Sequence, residues 1–206
     1  MADLRIEKGK ATRDRLIQAG RALFGEHGYE GTSIGAILDA AGVTRGSLYH
    51  HFETKEALFD AVLDRVVAEI ADTAAKAARA APDPVSSLRA GFAAWLRMAM
   101  DPSVQRIALL DPPAVVGWTR WRQIDEQHIL GGLRASMRRI ADQGRLPPGD
   151  VDLFTHMLLA AVNEAALLIA RAEDPEAAFE TGRAAVDALI DRLTSDPRAR
   201  HPPRRR

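Results

Sequence analysis

The chain predicts an all-α fold, and three observations carry that expectation. Apolar residues recur at helical spacing almost throughout, and no run alternates in the manner of a strand. Alanine is abundant and aromatics make up only 5% of the residues, a mixture that favours close-packed helices over sheet. Proline, glycine and Asp-Pro steps fall at intervals of one helix length.

Taken in order, residues 1–10 read as a flexible basic arm. Between Leu4 and Arg15 there are five bases against two acids, and nothing there resembles the apolar core of a signal peptide. Such an arm is suited to following a groove next to a recognition helix. Thr32 and Ser33 both precede a short apolar-periodic segment and either is suited to cap it. In that segment Ile34, Ile37, Leu38 and Ala41 share one face, and Gly42 ends it. Thr44 caps a second short helix, in which Leu48 and Phe52 point back to the core. Arg45, Gly46, Ser47, Tyr49 and His50 lie off that stripe.

Two short helices about a glycine turn, the second with an uncovered polar face, form the layout of a helix-turn-helix. Arg45 and Ser47 suit base edges in a major groove, and Gly46 permits close backbone approach. Tyr49 and His50 carry donors for phosphate oxygens. Thr54 caps the next helix, and Lys55 behind it suits a backbone phosphate.

That helix, Thr54 to about Ala80, carries Leu58, Val62, Val66 and Ile70 and is expected to link two domains. Pro82-Asp83-Pro84 stops it. Further helices are expected from about Val85 to Met100, Ser103 to Leu110, Trp118 to Gln143, Asp150 to Ala172 and Asp174 to Thr194. The last two read as a dimerisation hairpin. Their apolar faces are wide, and Ala178, Gly182 and Ala185 permit close approach. Residues 196–206 hold five arginines and read as a disordered basic tail.

The middle helices offer an apolar site with a few polar anchors, the usual form of a small-molecule pocket. Its candidate residues are Trp95, Leu110, Trp118, Trp121, His128, His156 and Asn163. Asn163 and Glu164 interrupt an apolar helix, where a buried polar group needs a partner. The stretch from Leu153 to Val162 is too short to span a bilayer.

The segment Leu16–Ser33, the motif Thr32–Phe52 and the following Glu53-Thr54-Lys55-Glu56-Ala57-Leu58-Phe59 together resemble the N-terminal domain of the TetR family of bacterial regulators. The resemblance covers residues 12–62. It implies a three-helix DNA-binding domain on a linking helix, a helical ligand domain, a homodimer and, most often, repression. By that resemblance Thr32 and Ser33 cap near phosphate, Thr44 to Ser47 face bases or backbone, and Tyr49, His50 and Lys55 hold phosphates. Two positions depart from the family pattern. Leu38 replaces the usual alanine at the helix crossing, which would push the motif helices apart, and Gly35 stands where a polar contact is common.

The expected division is therefore a DNA-binding domain over 11–60 and a ligand and dimerisation domain over 61–195. The expected partners are duplex DNA, a second copy and a small effector. No membrane and no cofactor is expected. With 28 basic and 28 acidic residues the chain as a whole is neutral, so its DNA affinity must rest on local charge. The absence of cysteine removes thiolate chemistry and disulfides and fits a reducing cytoplasm. No phosphate loop, His-Glu-x-x-His or carboxylate pair points to an enzyme, and no metal site is expected. A helical module that binds protein instead of DNA is the alternative reading.

Overall fold

Capping side chains set most helix starts in the computed structural model, which describes residues 2–147 and 149–195, with side chains from Glu7 onward. The basic tail over 196–206 lies outside the described residues. The described residues form helices and turns, without strands. They divide into two compact units.

The first unit comprises residues up to Val67 together with Asp101–Ile124. Helix α1 spans Ala2–Gly31. Residues 2–10 are thus the opening turns of a helix and not a flexible arm. The stretch lacks proline, and Thr12 Oγ1 donates to the Lys8 carbonyl at 2.9 Å. Gly28, at φ 75°, bends α1 before its end; only glycine enters that region without strain. Helix α2 is Ile34–Ala41 and α3 is Arg45–His51. Ser33, not Thr32, caps α2, its Oγ accepting from Ala36 N at 3.1 Å. Thr44 Oγ1 accepts from Ser47 N at 3.3 Å. Each such cap is worth ~1 kcal/mol. Between them Gly42 adopts φ 61°, and Val43 N donates to Leu38 O at 3.1 Å. Leu16, Ile17, Phe24, Ile37, Leu48, Leu58 and Phe59 are fully buried and make the core of this unit. Leu38 is only half-buried.

Helix α4, Lys55–Arg79, gives its first half to this unit and its second to the other. After α5, Pro84–Met98, come α6, Pro102–Gln105, a π-helical turn over Arg106–Leu110, α7, Pro112–Val115, and α8, Gly117–Asp125. The π turn replaces the expected α-helical end. Pro112 and Pro113 have no N–H to offer the carbonyls four residues back, and Asp111 N instead reaches Arg106 O at 3.0 Å. Residues 101–124, which the sequence assigns to the ligand domain, pack within this first unit.

The second unit holds Ala68–Met100 and the residues from Asp125 onward. The helix expected to run unbroken to Gln143 is interrupted by a second π turn, Glu126–Leu130, before α9, Gly131–Asp142. Helices α10, Val151–Ala170, and α11, Pro175–Thr194, complete it. Asp150 and Asp174 cap them as the sequence predicts. Phe92, Leu96, Met137, Leu158, Val162, Ala166 and Ile190 form the core. Helix α10 continues through Asn163 and Glu164, so it is longer than the apolar stretch read from sequence. By length and composition it is the one described helix that passes as a membrane span. Its buried face, which includes Leu158, Val162 and Ile169, instead packs in the core of this unit. Gly182 lets α10 and α11 of one chain meet: a Cβ there would stand 2.9 Å from Ile169 Cδ1.

Candidate nucleic-acid interface

The polar face of α3 stands clear of the first unit. Leu48 is fully buried beneath it and Phe52 nearly so, while Arg45, Gly46 and His50 are exposed and Tyr49 is 45% exposed. Among the described residues none accepts a hydrogen bond from the Arg45 guanidinium. A Cβ added at Gly46 would meet nothing within 4 Å, so the protein's own packing does not require glycine there. Ser47 is half-buried, Thr44 is occupied as a cap, and the ring of His50 lies edge-on to His51. Burial, with His50 and Arg13 close by, holds His51 below its ordinary pKa.

Two residues expected near phosphate turn inward. Thr32 is 2% exposed, and its hydroxyl is bonded at the carbonyls of Leu23, 3.0 Å, and Gly28, 2.7 Å. Lys55 directs its ammonium to the carbonyls of Tyr29, 2.8 Å, and Thr32, 3.1 Å, and lies 4.0 Å from the centre of the Tyr29 ring. It thereby satisfies the carbonyl end of α1, where the helix dipole favours a cation. Ser33 is exposed but occupied as the α2 cap.

Sequence reasoning passed over the side chains that hold this corner. Asp111 Oδ2 accepts from Tyr29 N at 2.8 Å, and Arg106 donates to the carbonyls of Gly25, 3.3 Å, and Glu26. Tyr29 stacks among Phe24 and Phe59, and burial raises its pKa above the ordinary value. Gly25 admits Ser103: an added Cβ would stand 2.6 Å from Ser103 Cβ. A glycine inside the α1 pattern was the available signal, since it marks a close approach. On α4, Asp60 takes Arg120 through two bonds, at 2.6 and 2.9 Å.

The candidate effector residues fall into two sets. In the second unit, Trp95 is 7% exposed and its Nε1 donates to Asn163 Oδ1 at 3.0 Å. His156 lies 3.8 Å from Asp152, and His128 is half-buried in the second π turn. Glu164 is exposed on α10, so the buried charge expected there does not exist. In the first unit, Trp118 and Trp121 meet edge to face at 5.3 Å with Arg122 over Trp118 at 4.6 Å. Trp118 is 58% exposed and Leu110 44%, so both candidates lie open at the surface of this unit.

The arrangement matches known regulators over most of its length. Residues 16–62 fit the family model described as bacterial regulatory proteins, tetR family, and residues 85–193 fit the tetracyclin repressor-like C-terminal domain. The transposon Tn10 TetC protein of Escherichia coli is 28% identical over 152 residues, 74% of this chain and 77% of that one. The HTH-type transcriptional repressor AcnR of Corynebacterium efficiens is 30% identical over 68% of this chain and 71% of its own. A crystal structure of a TetR-family transcriptional regulator from Pectobacterium atrosepticum superposes with a TM-score of 0.77 at 30% identity, covering 91% of this chain and 96% of that one. With an exposed, doubly capped second helix in its N-terminal unit and family matches to both halves, the chain belongs to the tetR family of bacterial regulatory proteins and is a DNA-binding transcriptional regulator.

Proposed function

We propose that this regulator is a repressor that binds a palindromic operator as a homodimer and leaves it when a small apolar or amphipathic effector binds. The observation that carries the reading is the face of α3, whose Arg45, Tyr49 and His50 are exposed on a rigidly capped helix. Dimerisation is supported by α10, where Leu153, Met157 and Leu168 are 57–62% exposed along one stripe, with Leu189 of α11 at 41%. Two recognition helices one DNA turn apart require such a pairing. Repression is supported by the likeness to AcnR, a transcriptional repressor. The paired Trp95 and Asn163 supply a polar anchor inside an apolar helix cluster, suited to an amphipathic effector. In this reading residues 11–60 read DNA and 61–195 serve dimerisation and effector binding, in the cytoplasm where operators lie. A ligand that favours another spacing of the two reading helices draws the population away from DNA.

Selection from a random duplex pool with the full-length protein tests this. A palindromic consensus is expected. If the dimer neutralises about eight phosphates, log K should fall with log salt at a slope of roughly −7. No enrichment, or a flat salt response, overturns the reading in favour of a protein-binding helical module.

A further inference from the structure

The opening turns of α1 bring a second cation to α3. Gly9 and Arg13, one helical turn apart, face its C-terminal end. A Cβ at Gly9 would stand 3.9 Å from His51 Cε1, and the Arg13 guanidinium lies 5.2 Å from the centre of the Phe52 ring. Phe52 closes α3 by donating its backbone N–H to Leu48 O at 2.8 Å. Arg13 is therefore fixed at the end of the recognition helix, by a helix instead of an arm.

Its bonding differs from that of six other arginines of this chain. Arg65, Arg89, Arg97, Arg120, Arg134 and Arg183 each place the guanidinium on a carboxylate. Arg13 is exposed and rests on a ring face, and among the described residues no carboxylate accepts from it. The neighbouring acid, Asp14, is taken by Arg65 at 2.6 Å. A guanidinium resting over a ring keeps N–H donors that no carboxylate has taken. That is the form in which arginine binds phosphate bidentately. On the same helix Lys8 is an equally exposed cation with no such seat.

We propose that Arg13 is a DNA-backbone residue: from α1, seated on Phe52, it holds a phosphate at the end of the α3 contact. The proposal rests on the operator-binding reading above. It predicts a contact that positions the duplex without reading a base.

Operator binding by the full-length protein as a function of salt tests it, with R13M, R13K and K8Q beside the wild type. Methionine keeps the apolar cover over Phe52, so the melting temperature of R13M should stay unchanged. Two lost contacts per dimer should flatten the log–log slope by about 1.8 and weaken binding about 50-fold near 0.1 M salt, narrowing as salt rises. The selected consensus should not change, and R13K should keep most of the slope. An unchanged slope in R13M overturns the proposal, whether or not affinity falls, because the residue is then only packing. An equal flattening in K8Q also overturns it, because the effect is then a diffuse field. A wild type that itself shows no salt-dependent binding fails the operator reading first, a distinguishable outcome.

Discussion

Helices α3 and α10 each leave a face uncovered, and the two faces have opposite chemistry. Helix α3 exposes Arg45, Tyr49 and His50 above a fully buried Leu48. Helix α10 exposes Leu153, Met157 and Leu168 above a buried Leu158, Val162 and Ile169. Both helices are firmly capped, so neither face is a frayed end. A polar face without internal partners calls for a charged, hydrated ligand whose attraction fades with salt. An apolar one calls for a dry surface whose attraction does not. The comparison teaches that the two faces should respond in opposite ways to ionic strength.

The largest effect should come from forcing a charge onto the apolar face. Leu168→Glu places a carboxylate where the side chain is now 62% exposed, so the monomer should fold normally. Burying that charge twice in a dimer costs several kcal/mol, enough to raise the dimer dissociation constant ~1000-fold. Sedimentation at micromolar concentration should show monomer, and an unchanged dimer would break the comparison. Next, Arg45→Ala should weaken operator binding about 100-fold, from ~1–3 kcal/mol per base contact in two subunits, with no change in melting temperature. Fluorescence anisotropy reads the loss, and full binding by the variant would remove α3 from the interface.

A smaller effect sharpens the α3 side. Gly25→Ala brings a Cβ to 2.6 Å from Ser103 Cβ. Overpacking of ~1–3 kcal/mol should outweigh the ~1 kcal/mol gain in helix propensity. Urea denaturation should show net destabilisation, and Ser103→Gly should restore it. The smallest effect sharpens the α10 side. Arg134 bonds both Glu126, at 3.0 and 3.2 Å, and Asp152 at the start of α10, and holds both carboxyls below their ordinary pKa values. Their lowered values mean the stabilisation is complete above the usual carboxylate range and is lost as acid titrates through the folded-state pKa. Arg134→Met should therefore melt slightly below wild type at neutral pH. The gap should narrow once acid carries the solution below the usual carboxylate range and close as both lowered carboxyls protonate. A gap that persists in acid would mean the packing of Arg134, not its charge, supports α10.

The helix-turn-helix was legible because local chemistry decides it. Ser33, Gly42 and Thr44 act within three residues of themselves, and Leu48 and Phe52 sort by periodicity. The helix starts at Asp150 and Asp174 were legible for the same reason. The inward turn of Thr32 and Lys55 was not. Both bond carbonyls around the bend at Gly28, and a bend reveals its acceptors only in three dimensions. Gly182 reads in sequence as a contact to another chain, whereas its neighbour is Ile169 of the same one. Glu164 was misplaced because an apolar neighbourhood in sequence does not say which way a helix is rotated. The opening turns of α1 were missed because net charge suggested an arm, although no residue there breaks a helix.

The π turn at Arg106–Leu110 gives this part of the chain a spare residue. Its carbonyls are reached from five residues onward, so the segment between Pro102 and Pro112 holds one residue more than a regular helix would use. Losing one of the five would let the turn close to ordinary helical pitch and keep the Asp111 carboxylate near the Tyr29 N–H. A chain one residue shorter at this point can therefore hold the same corner.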